Sequence, residues 1–304
     1  YLDPGMKKIV LRISLLKRDF WIVLGRFMGD ERKFAHKFPA KIVSPEEESV
    51  VEEEAPVDEG PGPQALAGEA IRKSGQQAAP AIASLPEVVL LEDLPASVEG
   101  MPVLGVSDES LGPLPFDRTA TLLVTGPPGS GRSTTVATLV AALRRAEPRT
   151  ELHYFGHPRS PLVANPSWDG AGAGADVVAQ HAEALAERLR AHEGEVPPMA
   201  VVIDGISEFL STEADMPLQE LLRACRSVGV LVIAEGPTSE IGGSWPLLQA
   251  VKSARHGIIL QPDQLDGEVV FKTPFPRAKR ADFPVGRGLY VRQGRTVRVQ
   301  VAVP

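Results

Sequence analysis

The stretch LLVTGPPGSGRSTT, residues 122–135, places a glycine-rich loop between an apolar run and a helix-forming run. From Gly126 to Ser133 it fits the phosphate-binding pattern G-x-x-x-x-G-K-S/T at every fixed position but one, because Arg132 replaces the lysine. Such glycines let backbone N–H groups approach phosphate oxygens, and a helix N-terminus behind them adds a favourable dipole. The neighbouring runs TLLVT and STTVATLVAAL supply the strand and the helix. We therefore predict a phosphate-binding loop formed by Gly126, Pro127, Pro128, Gly129, Ser130, Gly131, Arg132, Ser133 and Thr134.

Two residues are candidate ligands of a Mg²⁺ ion that accompanies the phosphates. Ser133 supplies the hydroxyl that follows the basic residue of the loop. Asp204 ends the apolar run MAVVID, where it would hold the ion through water and take part in catalysis. Without the first motif, Asp204 would be read as an aspartate that caps the next turn. The two motifs together predict a nucleotide site with ATP and Mg²⁺ as cofactors.

Two departures from the usual pattern predict reduced hydrolysis. The guanidinium of Arg132 keeps the positive charge of lysine, but it is bulkier and donates hydrogen bonds in a fixed fork. Many related ATPases carry a second carboxylate directly after the metal-binding aspartate to orient water, and that position here is Gly205. Glu208 is a candidate catalytic substitute if the backbone turns back, and otherwise a solvated residue. Glu235, after GVLVIA, either faces the terminal phosphate or points to solvent.

Alternating apolar strands and amphipathic helices predict an α/β fold with a doubly wound, mostly parallel sheet. The strand candidates are continuous apolar runs, as expected for strands buried on both faces: ATLLVTG, TELHYFG, MAVVIDG, GVLVIAEG and GIILQ. The helix candidates are the run after Arg132, DVVAQHAEALAERLRAH, PLQELLRACRSVG and WPLLQAVKSAR. In the second helix, Val177 and Val178 are both expected on the buried side. The tail GLYVRQGRTVRVQVAV predicts a C-terminal β-hairpin that turns at Gln293-Gly294.

Composition divides the 304-residue chain into three parts. Residues 1–44 are basic and apolar, residues 45–84 form an acidic linker rich in proline and alanine, and residues 85–304 form the α/β domain. YLDPGMKKIVLRI at the start can be aligned with the C-terminal hairpin, so residues 1–44 are either the tail of a preceding copy of the domain or an irregular basic segment. The net charge of −7 argues against nucleic acid as a partner. The single cysteine, Cys225, is expected in the core of a protein from a reducing compartment.

The sequence resembles the FtsK/SpoIIIE branch of P-loop motor ATPases, in particular the C-terminal ATPase module of type VII secretion system proteins. The resemblance covers residues 85–304, and its stretches occur in the family's order. They are MPVLGVSDESLGPLPFD, LLVTGPPGSGRST, VVIDG, RACRSVGVLVIAEG, SWPLLQAVKSARHGIILQPDQLDGE and FPVGRGLYVRQGRTVRVQVA.

This resemblance implies a RecA/FtsK-like P-loop domain in a motor on the cytoplasmic side of the cell membrane, tethered through a part of the chain that precedes Tyr1. It implies neighbouring ATPase modules in the same chain, a homo-oligomeric ring, and small secreted proteins of the WXG100 type as cargo. The last module of such motors is thought to receive the cargo's C-terminal signal, and later modules are often poor hydrolases. An arginine from a neighbouring module often assists, for which Arg223, Arg226 and Arg255 are candidates.

Three functions remain open at this stage. The first is a secretion motor module that binds ATP, hydrolyses it weakly and docks protein cargo. The second is a module that binds nucleotide without hydrolysis and serves docking or regulation. The third, least favoured, is a DNA translocase of the same family, which would need a basic channel that the acidic balance does not suggest.

Overall fold

The computed structural model describes residues 84–304, apart from positions 120, 166, 195 and 278. The predicted segment 1–44, nearly all of the linker 45–84 and the alignment with the C-terminal hairpin lie outside these residues. Among the described residues, no helix is long and apolar enough to cross a membrane.

The described residues form one large sheet of eleven strands. Its spatial order is β1-β2-β11-β10-β9-β4-β8-β7-β5-β6, with β3 paired to β2. The strands are β1 (Ser97–Val98), β2 (Met101–Ser107), β3 (Pro113–Pro115), β4 (Thr121–Gly126), β5 (Glu151–Gly156), β6 (Gly170–Ala173), β7 (Met199–Ile203), β8 (Leu231–Pro237), β9 (His256–Leu260), β10 (Arg287–Arg292) and β11 (Arg295–Val301).

The sheet has a parallel half and an antiparallel half. All pairs from β9 through β4, β8, β7 and β5 to β6 are parallel. The pairs that join β9 to β10, β10 to β11, and β11 to β2 are antiparallel. Strands β10 and β11 form the predicted hairpin, with Arg292 opposite Arg295 and the turn at Gln293-Gly294. The predicted α/β class, mostly parallel sheet and C-terminal hairpin are confirmed.

Helices cover both faces of the parallel half, as a doubly wound fold requires. They are α1 (Arg132–Ala146), α2 (Ala175–Ala191), α3 (Asp215–Val228), and the shorter α4 (Thr238–Ile241) and α5 (Pro246–Lys252). Short 3₁₀ turns lie at Leu91–Asp93, Ile206–Phe209 and Arg280–Asp282, and a π-helical turn lies at Gly267–Phe271.

Two apolar clusters form the core, one on each face of the sheet. Leu122 and Val124 of β4 pack with the buried side of α1, whereas Leu123 packs on the opposite face with α2, α3 and α5. Successive side chains of a strand point to opposite faces, so a strand that is covered on both sides needs an uninterrupted apolar run. Cys225 lies in the second cluster, as predicted, and burial raises the pKa of its thiol to about 12.

One detail of the predicted helix α2 is wrong. Val178 is fully buried, but Val177 is 45% exposed. Adjacent residues are about 100° apart around a helix, and Val177 falls just outside the buried arc, which is formed by Val178, Ala179, Ala182, Leu185, Ala186 and Leu189. Small alanines, at positions 182 and 186, complete the buried side instead.

Candidate functional site

Four chain segments meet where the parallel strands end. The predicted phosphate loop follows β4, Asp204 follows β7, Glu235 lies near the end of β8, and residues 157–160 follow β5. Parallel strands present their carboxyl ends at one edge of the sheet, where ligands of open α/β folds bind. Because β8 lies between β4 and β7, Glu235 stands between the phosphate loop and Asp204.

The phosphate loop has the backbone geometry of an anion cradle. Gly129 and Gly131 have φ angles of 78° and 99°, which L side chains rarely adopt. Helix α1 begins directly afterwards at Arg132. Within the described residues, the backbone amides of Gly131, Arg132 and Ser133 donate to no backbone carbonyl, as is usual in the first turn of a helix. These donors are available for a bound anion.

Space and a buried polar atom also fit a phosphate at this loop. A Cβ atom built on Gly129 would meet nothing within 4 Å, so the loop is open above it. The hydroxyl of Ser130 is buried and has no hydrogen-bond partner among the described residues. The backbone of the loop is also hydrogen-bonded to a distant segment, because the amide of Gly286 donates to the carbonyl of Ser130 at 3.0 Å. The segment that precedes the C-terminal hairpin thus supports the loop from behind.

Arg132 forms a buried ion pair with Glu235. Nη1 of Arg132 lies 2.6 Å from Oε1 of Glu235, and the two side chains are only 17% and 6% exposed. The contact is ionic and lacks the alignment of a hydrogen bond. The other carboxylate oxygen of Glu235 accepts a hydrogen bond from the amide of Gly205 at 3.0 Å. Of the two orientations that the sequence left open for Glu235, the structure has the one that faces the site.

The environment of Glu235 opposes its ionisation. Burial and the neighbouring carboxyl of Asp204 raise the pKa of Glu235 to about 7, although Arg132 and the Gly205 amide act in the opposite direction. A carboxyl group is harder to ionise where water is excluded and a second carboxyl is close. Glu235 therefore titrates near neutral pH.

Asp204 is held by two hydroxyl groups. The hydroxyl of Tyr154 donates to Oδ2 of Asp204 at 2.8 Å, and Ser160 donates to the same oxygen. Burial, together with Asp204, raises the pKa of Tyr154 above its usual range, so the tyrosine stays a donor. These bonds fix the orientation of the carboxylate of Asp204.

The backbone turns back at Gly205, as a role for Glu208 requires. Gly205 has a φ angle of 66°, and the amide of Glu208 donates to its carbonyl at 2.8 Å. A Cβ atom on Gly205 would lie 3.1 Å from Oε1 of Glu208, so this carboxylate folds over the glycine. The left-handed backbone explains why the position holds glycine, because a glutamate there would be strained.

These residues line a cavity of about 380 Å³ beside the phosphate loop. Its charged residues are the acids Asp204, Glu208, Glu235 and Glu240 and the bases Arg132 and Arg159, together with His157. The guanidinium of Arg159 is exposed and has no ion-pair partner among the described residues. In the same part of the chain, no three histidine, cysteine or acidic residues are arranged to hold a metal on their own. A Mg²⁺ ion that is bound to nucleotide phosphates needs only one or two oxygen ligands from the protein. The acidic residues of this cavity can supply them.

The remaining residues predicted for the site are Ser133 and the three candidate arginines, and their contacts with the site are weaker. Ser133 lies exposed on the first turn of α1, and it is not hydrogen-bonded to Asp204, which the structure also describes. Arg226 donates to the carbonyl of Ala250 and to Ser253, which joins α3 to α5. Arg223 and Arg255 are exposed.

Sequence reasoning missed several residues of the site, among them Tyr154, Ser160 and Arg159. Tyr154 sits inside an apolar strand, where an aromatic residue suggests packing alone. Ser160 and Arg159 belong to the HPRS turn after β5, which matches no phosphate-binding motif. The signal that could have identified Arg159 and Ser160 is their position directly after β5, because residues that follow a parallel strand lie at the edge of the sheet where ligands bind.

The fold is shared with ATPase domains of type VII secretion systems. The cytoplasmic domain of the type VII secretion ATPase EccC from Thermomonospora curvata aligns with 79% of this chain and 31% of its own, with 21% identity and a TM-score of 0.64. ATPases 2 and 3 of that protein, solved with a signal sequence peptide, align over 79% of this chain and 48% of theirs, with 22% identity and a TM-score of 0.63. ATPases 2 and 3 of EssC from Geobacillus thermodenitrificans align over 79% and 49%, with 16% identity and a TM-score of 0.60.

The resemblance noted from the sequence is thus confirmed at the level of fold. The chain spans less than half the length of each of these solved structures. No family model and no curated protein matches the sequence.

Proposed function

We propose that residues 85–304 form a nucleotide-binding module of a type VII secretion motor, which binds ATP with Mg²⁺ and hydrolyses it weakly. The observation that carries this proposal is the phosphate loop: left-handed glycines, free amides at the start of α1, and a cavity beside them. The shared fold with secretion ATPase domains supports the choice of system.

In this proposal each residue of the site has a defined task. The loop amides of Gly131 and Ser133 bind phosphate oxygens, and Arg132 contributes a positive charge. Ser133 and Asp204 hold Mg²⁺, which supplies charge neutralisation for the phosphates. Glu208 orients water, since its carboxylate folds back into the cavity. The buried Arg132–Glu235 pair competes with phosphate contacts, which supports weak activity.

The partners and location are part of the same proposal. One related structure contains EccC with a signal sequence peptide. By analogy, this module docks small secreted proteins of the WXG100 type through their C-terminal signals. It works beside neighbouring ATPase modules of its own chain, in a ring on the cytoplasmic side of the cell membrane.

The buried Arg132–Glu235 ion pair also favours a second function. If the Arg132–Glu235 pair persists when nucleotide binds, the module holds nucleotide without hydrolysis and serves docking or regulation. A phosphate-release assay on the same protein, with excess MgATP, separates the two functions. The DNA translocase is not supported, because the net charge of −7 does not favour binding to a polyanion.

The proposal is tested by titrating MgATP into the 304-residue chain and into its Arg132→Ala variant. We expect the variant to bind at least about tenfold more weakly, because a hydrogen bond from a charged group contributes about 1.5–3 kcal/mol. Arg190→Ala is the matched control, since Arg190 forms an exposed ion pair with Glu220 on the surface of α2 and α3. The proposal would be refuted if the wild-type chain bound neither MgATP nor MgADP at about 1 mM, a concentration at which even a weak ligand site is occupied.

A further inference from the structure

The basic residue of the phosphate loop already has an anionic partner. In loops of this pattern the basic residue reaches the two terminal phosphates of the nucleotide. Here the guanidinium of Arg132 instead contacts the carboxylate of Glu235 at 2.6 Å, in a setting that is largely closed to water. Glu235 thus lies where an oxygen of the terminal phosphate would contact the same nitrogen.

Glu235 is anchored in this position by the sheet. Its backbone is paired with Val124 in the register between β8 and β4, and its second carboxylate oxygen accepts the amide of Gly205. Its side chain is directed between the loop and Asp204 by elements that are themselves buried on both faces. The carboxylate can leave Arg132 only by giving up the Gly205 hydrogen bond or by moving within a packed site.

Among the described residues, the other charged side chains of the cavity do not compensate for a further phosphate, and a Mg²⁺ ion accompanies both nucleotides, so it does not remove the difference between them. Asp204, Glu208 and Glu240 also line it, and Arg159 at its rim is the additional cation. A diphosphate places its charge on the loop amides, whereas a triphosphate adds charge directly beside Glu235. Like charges that are brought together in a site discriminate strongly against the ligand that carries them.

We propose that Glu235 is a specificity-determining residue that makes this loop bind nucleoside diphosphates more tightly than triphosphates. This inference rests on the proposed nucleotide-binding function of the same loop. The carboxylate stands in for the terminal phosphate on Arg132, so ADP binds beside the intact ion pair. ATP must displace Glu235 from Arg132 before its terminal phosphate can be accommodated.

The test compares MgADP with the Mg²⁺ complex of the non-cleavable β,γ-imido analogue of ATP, titrated separately into the 304-residue chain at pH 8, where the carboxyl of Glu235 is mostly ionised. We expect ADP to bind at least about tenfold more tightly to the wild-type chain, as a like-charge contact predicts. In Glu235→Gln we expect the triphosphate to gain at least about tenfold and ADP to change less than about threefold, because the side chain keeps its shape and loses its charge.

Glu240→Gln is the matched control. Glu240 lines the same cavity, but its carboxylate accepts a hydrogen bond from Ser207 and does not touch Arg132. Its ratio of ADP to triphosphate affinity should change far less than that of Glu235→Gln, because repulsion between like charges weakens with distance. An equal shift in both variants would show that the general acidity of the cavity, and not the position of Glu235, sets the preference.

The outcomes also separate this inference from the proposal on which it rests. A wild-type chain that binds the triphosphate as tightly as ADP overturns the inference and leaves the nucleotide-binding function standing. A chain that binds neither nucleotide overturns both. A wild-type ratio near one overturns the inference without any variant, and Glu235→Ala tests the same charge if Glu235→Gln does not fold.

Discussion

Arg132 and Glu235 together explain why the loop departs from its usual pattern. An arginine at this position can reach across to β8, and its charge neutralises a carboxylate that would otherwise be buried alone. Truncation of one partner of a buried ion pair leaves an uncompensated charge, so the two residues depend on each other. Gly205 belongs to the same arrangement, because its amide binds Glu235 and its backbone requires glycine.

At the residue scale, Glu235 should make folding stability depend on pH. Its pKa is about 7 in the folded protein, against an ordinary value of 4.5, so the folded state keeps a proton that the unfolded chain releases. This stabilisation is fully present below about pH 4.5 and is lost as the pH rises through 7, a change on the order of 3 kcal/mol. Glu235→Gln removes the dependence, because the amide does not titrate.

The measurement is the free energy of urea unfolding at pH 5 and pH 8, for the wild type and Glu235→Gln. We expect the variant to gain stability relative to the wild type as the pH rises. The comparison cancels other groups, among them His256, whose pKa is lowered to about 4 by burial and which acts in the opposite direction. Parallel pH profiles for the two proteins would contradict the assigned environment of Glu235.

At the scale of elements, local sequence predicted most of the strands and helices around the site. The five apolar runs are β4, β5, β7, β8 and β9, and the four helical runs are α1, α2, α3 and α5. Strand β6 could not be predicted, because GAGA has little strand propensity and is held by its pairing with β5 and its contact with α2. The π-helical turn at Gly267–Phe271 likewise has no local signal, since it depends on packing of Val270 and Phe271 into the core.

Close approach of strands explains a glycine in β9. A Cβ atom on Gly257 would lie 2.1 Å from the carbonyl oxygen of Leu123 in β4, nearer than any real contact. Because β4 leads into the phosphate loop, β9 must sit against it without a side chain at this point. We expect Gly257→Ala to lower the free energy of unfolding by about 1–3 kcal/mol, as overpacked sites do.

Urea unfolding of Gly257→Ala and of Gly172→Ala checks this expectation. Gly172 is the control because it also lies in a strand, β6, where a Cβ atom would have ordinary contacts of 3.4 Å and more. The control should change stability by less than about 1 kcal/mol, the usual range for substitutions without a specific clash. Equal losses of unfolding free energy in the two variants would show that β4 and β9 are no closer together at Gly257 than other strands of the sheet are.

At the scale of the whole domain, local sequence patterns predicted the C-terminal hairpin but not its position in the sheet. Its turn was evident from Gln293-Gly294, but its place beside β9 and β2 joins residues that are far apart in sequence. The hairpin also reaches the site, because Gly286 donates to Ser130 and Thr138 of α1 donates to the carbonyl of Ala302. The sequence therefore predicted the loop and Asp204, whereas the support of the loop and the Glu235 contact required the tertiary structure.

Hydrogen–deuterium exchange of the 304-residue chain, with and without saturating MgADP, tests the central claim that this loop binds phosphate. The account predicts slower exchange at the amides of Gly129, Gly131, Arg132 and Ser133, since these donors acquire phosphate acceptors. Distant surface amides, such as those at the exposed turn Gln293-Gly294, should exchange at unchanged rates. Unchanged exchange in the loop, or protection confined to another part of the chain, would contradict the account.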